Sequence, residues 1–306
     1  KCSLNNPLNF ARKLPGFLRW STWQILAFQR IEKDIILHYH DLDTLIGGVF
    51  TSKIGEMPLV YDCHENYPGL VKGAISERGA TILHKLEAYL LNYCSGIMAA
   101  GPAGYVRLSD MLEIGAKAPF NANEEEAFKV LSKPQSDFLN SRVTRVGNAK
   151  RLDAYPINRI EKKKDNGKFR LLYIGVLEKH PSRGILETAI TINKMKGIQF
   201  DIGGFGTLVP TLKKVCDKMT NVNYIGSVHP DNVPLQTIES DAVLMALDPK
   251  NDNNRMSAPN KLFEAMSAGV PIITCKELLM GQFVDNEEIG LTFEWGKWDR
   301  LKASLM

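Results

Sequence analysis

Short apolar runs recur along most of this chain, separated by longer stretches with helical patterning, and that alternation narrows the possible folds sharply. In the first half the runs are DIILHYH (34–40), PLVYDCH (58–64) and SGIMAAG (95–101), followed after an acidic stretch (121–137) by SRVTRVGNA (141–149). In the second half they are FRLLYIGVL (169–177), FDIGGFG (200–206), VNYIGSV (222–228), DAVLMAL (241–247) and PIITC (271–275). The pieces between them, such as ATILHKLEAYLLNY (80–93), 184–195 and 208–219, read as helices. Strands that alternate with helices build parallel sheets, because each crossover needs a helix to return the chain to the same edge. The pattern breaks at the charged segment RIEKKKDNGK (159–168) and then restarts. At 306 residues, and about 150 residues per domain, two α/β units are expected. The division predicted is 1–158 and 159–306, with a cleft between two Rossmann-like sheets.

Composition removes several function classes. Hydrophobic residues at 44% and charged residues at 24% are ordinary for a water-soluble globular chain. No window approaches the run of about 20 apolar residues that spans a bilayer. The amino terminus KCSLNNPLNFARK lacks the apolar core of a secretory signal, which places the chain in the cytoplasm. Five scattered cysteines with no C-x-x-C pair argue against a disulfide framework or a zinc site. A net charge of +4 is too mild for a nucleic-acid binder, and no RNA- or DNA-binding signature is present. Anionic small molecules and lipid surfaces remain as partners. The segment FLRWSTWQILAFQRI (17–31) carries Phe17, Leu18, Trp20, Trp23, Ile25, Leu26 and Phe28 at helical spacing. Such a helix either faces the core or offers an acceptor or membrane surface.

The second half collects glycine after its strands: Gly175, the group Gly203, Gly204 and Gly206, and Gly226 before Ser227. In open α/β sheets ligands bind beyond the carboxyl ends of the strands, where glycine lets the backbone approach and helix amino termini attract phosphate. Glycine also serves tight turns, and GGFG is not a dinucleotide fingerprint. The segment SAPNKLFEAMSAGVP (257–271) reads as a helix of about ten residues, with Pro259 in its first turn and Gly269 just past its end. Ser257, Asn260 and Lys261 would meet an anion at its amino terminus, or Ser257 simply caps the helix and Lys261 is solvated. Glu264 lies between Phe263 and Ala265, where a carboxylate needs a partner. A ribose diol would satisfy it, and so would Lys261 three residues earlier.

These segments, in this order and spacing, resemble the GT-B glycosyltransferases, in particular the large retaining family related to glycogen and sucrose-phosphate synthases. PNKLFEAMSAGVPII with YIGVL, FDIGGFG, VNYIGSV and DAVLMAL looks like that family's donor domain. DIILHYHD, PLVYDCHENYP and RVGNA look like its acceptor domain and exit strand. The resemblance implies that Glu264, the second glutamate of the family's pair, holds the nucleotide ribose. It implies that Arg183 binds the donor diphosphate and that His64 contacts the donor sugar and carries the catalytic role. Tyr224, Ser227 and Val228 fall in the segment beside the base, and Gly204 and Gly206 in the glycine turn. His40 and Asp41 fall at the neighbouring strand end, with no chemical role assigned.

The chain departs from the pattern in four places. Met256 stands where the first glutamate belongs, so Asp252, Asn254 or Arg255 would have to orient the transferred sugar. Val176 replaces the family's first phosphate-binding arginine, for which Lys179 is the substitute. An opening strand with a glycine-rich loop and a closing helix are also missing, so both units are expected to be incomplete at the chain's ends. The implied activity is retaining transfer of a hexosyl-type group from a UDP-, GDP- or ADP-sugar to a saccharide, lipid-linked or small-molecule acceptor. It would need no cofactor and no metal, since the donor half carries no D-x-D pair. A donor-binding partner without turnover, motivated by Met256 and Val176, and a nucleotide-sugar epimerase on the same fold are the alternatives.

Overall fold

A computed structural model of the chain describes residues 16, 19, 21–30, 32, 34–71, 75–131, 133, 137, 142–155, 167–179 and 183–304. The chain forms two compact units, Lys1–Gly147 and Asn148–Met306. Each is a parallel α/β layer structure.

The first unit runs from a helix at 21–29 (α1) through β1 (Leu37–His40), α2 (Asp41–Gly55), β2 (Leu59–Cys63), α3 (Tyr67–Val71) and α4 (Glu77–Leu90). It continues through β3 (Gly96–Ala99), α5 (Pro102–Ile114), α6 (Glu124–Leu131) and β4 (Val143–Arg145). Among the described residues the strands form one sheet in the order β1-β2-β3-β4, all parallel. Its core joins Leu37, Leu59, Tyr61 and Ile97 of the strands to Leu42, Leu45 and Val49 of α2 and Leu108 and Met111 of α5. The acidic stretch yields a helix because Glu124, Glu125 and Glu126 fill the first turn of α6, where negative charge meets the positive end of the helix dipole.

A buried polar network ties β2 into this core. Arg107 of α5 donates to both carboxylate oxygens of Glu87 of α4, at 2.6 and 2.9 Å. Tyr61 of β2 donates its hydroxyl to Glu87 at 2.9 Å, and the Arg107 guanidinium also reaches the Cys63 sulfur at 3.4 Å. Both members of the ion pair are shut off from solvent, so every lone pair depends on these contacts.

Of the aromatic segment, Phe17, Leu18 and Trp20 lie outside the described residues. Ile25 and Leu26 pack on the core, and the Thr22 hydroxyl pairs with Thr51 of α2 at 2.8 Å. Trp23 and Phe28 point outward at 61% and 56% exposure, so α1 is neither wholly core-facing nor wholly a surface helix. No helix among the described residues is long and apolar enough to cross a membrane.

The second unit is larger. Its elements are β5 (Phe169–Val176), α7 (Ile185–Ile192), β6 (Ile198–Phe205), α8 (Val209–Cys216), β7 (Val222–Gly226), α9 (Val233–Ile238) and β8 (Ala242–Met245). After these come α10 (Asp252–Met256), α11 (Asn260–Ala268), β9 (Ile272–Cys275), α12 (Leu279–Asn286), β10 (Gly290–Phe293) and α13 (Trp298–Ser304). Among the described residues the strand order is β10-β9-β8-β5-β6-β7, again parallel, with the order reversing beside β5. Such a reversal opens a crevice at the carboxyl end of the strands, the usual ligand position in this architecture. Leu171, Tyr173, Phe200, Ile202, Leu244 and Ile273 form the centre of the core.

The units divide before the charged run on which the sequence reading placed the boundary. Residues 159–166 of that run lie outside the described residues. The reason for the earlier division is contact: Asn148 donates to the Ala258 carbonyl at 2.7 Å, and Lys150 pairs with Glu264 at 3.0 Å. The residues just after RVG therefore belong to the second sheet's ligand end.

Candidate active-site residues

In the first unit, β1 and β2 end side by side with His40 in register with Asp62. Strand periodicity puts His38, two residues before His40, on the same face. One carboxylate oxygen of Asp62 then lies 3.0 Å from His38 Nε2, 3.2 Å from His40 Nδ1 and 3.2 Å from His64 Nε2. His40 Nδ1 and His64 Nε2 are themselves 3.0 Å apart. The Asp62 side chain is 11% exposed, whereas the three imidazoles are about half exposed. Asp41 fixes the loop that carries His64. Its carboxylate accepts the His64 backbone N–H at 2.9 Å, and its own backbone adopts a left-handed conformation with φ of 58°. Aspartate tolerates that region better than most residues, so a sharp entry into α2 and a grip on the neighbouring strand end come together.

In the second unit, the expected donor residues gather at the carboxyl ends of β5 and β6 and at the start of α11. Gly204 has φ of 139°, and a Cβ there would stand 1.8 Å from the Gly175 carbonyl oxygen. Gly206 is equally constrained, with φ of 146° and a hypothetical Cβ 2.3 Å from the Leu177 oxygen. Only glycine lets these two strand ends close on each other. Tyr224 donates to the Gly204 carbonyl at 2.8 Å, and Val228 packs beside Gly203, so the segment from Tyr224 to Val228 does meet the glycine turn. Ser227 is exposed.

Pro259 stands at the N-cap of α11, not in its first turn, and Gly269 is the left-handed C-cap with φ of 64°. Ser257 does not cap this helix. Its hydroxyl donates to the Asn254 carbonyl at 3.0 Å, closing the end of α10, because the chain between the two helices is extended. Asn260 opens α11. Lys261 is not a solvated surface charge. It donates to the Ile174 carbonyl at the end of β5, and its ammonium lies 4.2 Å from the Tyr173 ring centroid. Burial pushes its pKa down to about 8, with the Glu264 carboxylate pulling it up and the Arg183 charge adding to the depression. Lys179 and Arg183 line a cavity of about 240 Å³ together with Glu178, Leu208 and Thr211.

Glu264 is paired, but with Lys150 and not with Lys261 in hydrogen-bonding distance. This partner was invisible to local spacing, since it enters from the segment after RVGNA. Of the residues considered for the work of the absent glutamate, Asn254 is committed to the loop, donating to Asp248 at 3.1 Å. Arg255 reaches Asp252 at 3.4 Å. Met256 is buried, and Val176 is 39% exposed.

Residues 168–305 match the family model described as Glycosyl transferases group 1. The second unit is therefore similar to the group 1 glycosyltransferases over most of its length. Solved structures extend the likeness across the chain. HepE from Anabaena, crystallised with UDP and glucose, aligns over 92% of this chain and 70% of its own, with a TM-score of 0.61 at 14% identity. Sucrose-phosphate synthase from Thermosynechococcus elongatus aligns over 96% and 68%, with a TM-score of 0.62 at 14% identity. A glycosyltransferase from Rickettsia africae aligns over 100% and 72%, with a TM-score of 0.59 at 11% identity. No curated protein matches the sequence. At these identities the solved structures establish the fold, which is the two-unit Rossmann-like GT-B architecture.

In the second unit, Asn148 and Lys150, both ahead of the matched residues, are the contacts that the sequence reading passed over. In the first unit it passed over His38 and Asp62. The H-x-H spacing on a predicted strand, followed by D-x-H on the next, was the signal available for that cluster.

Proposed function

We propose that this protein transfers a glycosyl group from a nucleotide-sugar to a saccharide, lipid-linked or small-molecule acceptor, with retention at the anomeric carbon. The observation that carries the reading is the group 1-like second unit in which Glu264, Lys261 and Arg183 converge on the glycine-lined ends of β5 and β6. A nucleoside diphosphate bound there would place its ribose hydroxyls on Glu264 and its phosphates beside Arg183 and Lys261. Arginine and lysine neutralise the charge that grows on a departing diphosphate. HepE, with UDP and glucose bound, supports a uridine nucleotide as the first donor to try. GDP- and ADP-sugars complete the panel. His64 of the first unit is the residue on which the transfer step is expected to depend.

Thermal stabilisation of the purified protein by UDP-, GDP- and ADP-sugars, followed by an assay of nucleotide release with candidate acceptors, tests this. A stabilising donor that is consumed only with acceptor supports transfer. A stabilising donor that stays intact with every acceptor favours a binding partner, and its isomerisation without acceptor favours an epimerase. Glu264→Gln is expected to weaken nucleotide binding by about 1–3 kcal/mol, the range for a hydrogen bond to a charged group. Unchanged affinity by calorimetry would remove the ribose assignment.

Lys261 gives a pH signature. Its pKa of about 8 in the free protein means that the ammonium is charged below that value and neutral above it. The diphosphate of a nucleotide-sugar favours the charged form, so binding above pH 8 must take up a proton. Donor affinity is therefore expected to fall as pH rises past 8, by at most about tenfold per pH unit. Lys261→Met should bind more weakly and lose this slope; a retained slope assigns it to another group.

A further inference from the structure

We propose that His38, His40 and Asp62 form a binding site for a divalent transition-metal ion, with zinc the best fit. The site is argued from the first unit alone and does not depend on the transferase reading. His38 and His40 share a face of β1, and Asp62 joins them across the β1–β2 register. Their three donor atoms lie within 4.8 Å of one another, and Asp62 contributes one oxygen 3.0 Å from His38 Nε2 and 3.2 Å from His40 Nδ1. Donors held about 2.0–2.2 Å from a tetrahedral zinc stand roughly 3.3–3.5 Å apart, so an ion enters with small side-chain shifts and no movement of the strands. The two rings are stacked, with centroids 4.6 Å apart and planes 27° from parallel, so both present their edges on the same side of β1.

Hydrogen bonding alone serves this cluster poorly. His40 Nδ1 and His64 Nε2 face each other at 3.0 Å and also face the same Asp62 oxygen. If both nitrogens donate to the carboxylate, two N–H groups are set against each other. If one donates to the other, a bare nitrogen lone pair is turned toward a carboxylate. A cation among the donors removes that conflict, since imidazole nitrogen and carboxylate oxygen both present lone pairs to it. Two imidazoles and a carboxylate select zinc and its transition-metal neighbours over magnesium or calcium, which require oxygen ligands throughout. His38 and His40 are 45% and 58% exposed, which gives the ion a path in and leaves coordination positions for water.

The test is zinc titration of the full chain, first stripped of metal with a chelator, in competition with a chromophoric indicator. One equivalent of zinc is expected to bind. His38→Ala/His40→Ala should lower affinity by more than about a hundredfold, beyond the range seen when only a supporting contact is lost. His229→Ala, which removes an exposed histidine of the second unit, should bind as the parent does. Circular dichroism and the thermal transition report whether the double variant folds. If it does not, Asp62→Asn keeps the side-chain volume and is expected to show the same loss. A second readout is cobalt(II), whose visible spectrum in a nitrogen-rich site should appear with the parent and not with the variant. A stoichiometry near zero, or equal affinity of parent and variant, overturns the site.

Discussion

Arg107→Met is expected to lower the stability of the first unit by about 3–5 kcal/mol. The substitution keeps an unbranched, largely apolar stem and removes the cation paired with Glu87, whose side chain is 0% exposed. Burial opposes the charge on Arg107, yet the facing carboxylate outweighs it and holds the guanidinium above its ordinary pKa. Without that partner Glu87 must either stay charged in the core or take up a proton, and both cost free energy. The paired substitution Arg107→Met/Glu87→Leu removes both charges and should recover most of the loss, which separates the ion pair from simple packing. Hydrogen exchange of first-unit amides under increasing denaturant resolves this unit from the other. A loss below about 1 kcal/mol would mean that water reaches Glu87. The consequence extends beyond stability, because Tyr61 and Cys63 bracket Asp62 on β2 and both touch this network.

The strands of both sheets were legible because parallel strands buried on both faces read as short apolar runs. The helix around Glu264 was legible from its proline and glycine punctuation. β10 and α13 were not anticipated: Gly290–Phe293 mixes polar and apolar residues at the sheet edge, and its pairing with β9 is a long-range choice. The same limit explains the site. Which residues would meet at the strand ends followed from the fold, so Gly204, Tyr224, Lys261 and Arg183 were in view. Which partner each would take did not follow. Glu264 meets Lys150, more than a hundred residues earlier, and Ser257 turns back to α10 because the chain before α11 is extended. Lys261 could be read from its sequence position as meeting an anion or as a solvated charge, and the structure places its ammonium over Tyr173. Three histidines around one carboxylate needed the β1–β2 register, which a single sequence does not supply.

His64→Ala is expected to reduce glycosyl transfer by about 10²–10³-fold, the scale on which a preorganised polar group at a reacting centre acts, while donor affinity changes by less than about threefold. The asymmetry follows from where the residue sits. Its ring is about half exposed, so truncation removes little packing, and its backbone remains pinned by Asp41 through the N–H. What disappears is an imidazole whose direction is set by Asp62 and His40. Turnover and equilibrium donor binding, measured separately, distinguish the roles: equal losses in both would make His64 a structural residue, and no loss in turnover would detach the transfer step from this strand end. The same variant keeps His38, His40 and Asp62, so it should still bind zinc with the parent's affinity to within about tenfold, as expected when a neighbour and not a ligand is removed. Loss of transfer with zinc retained would show that the histidine cluster serves two separable ends. Loss of both together would make His64 a metal ligand in its own right and tie the ion to the reaction.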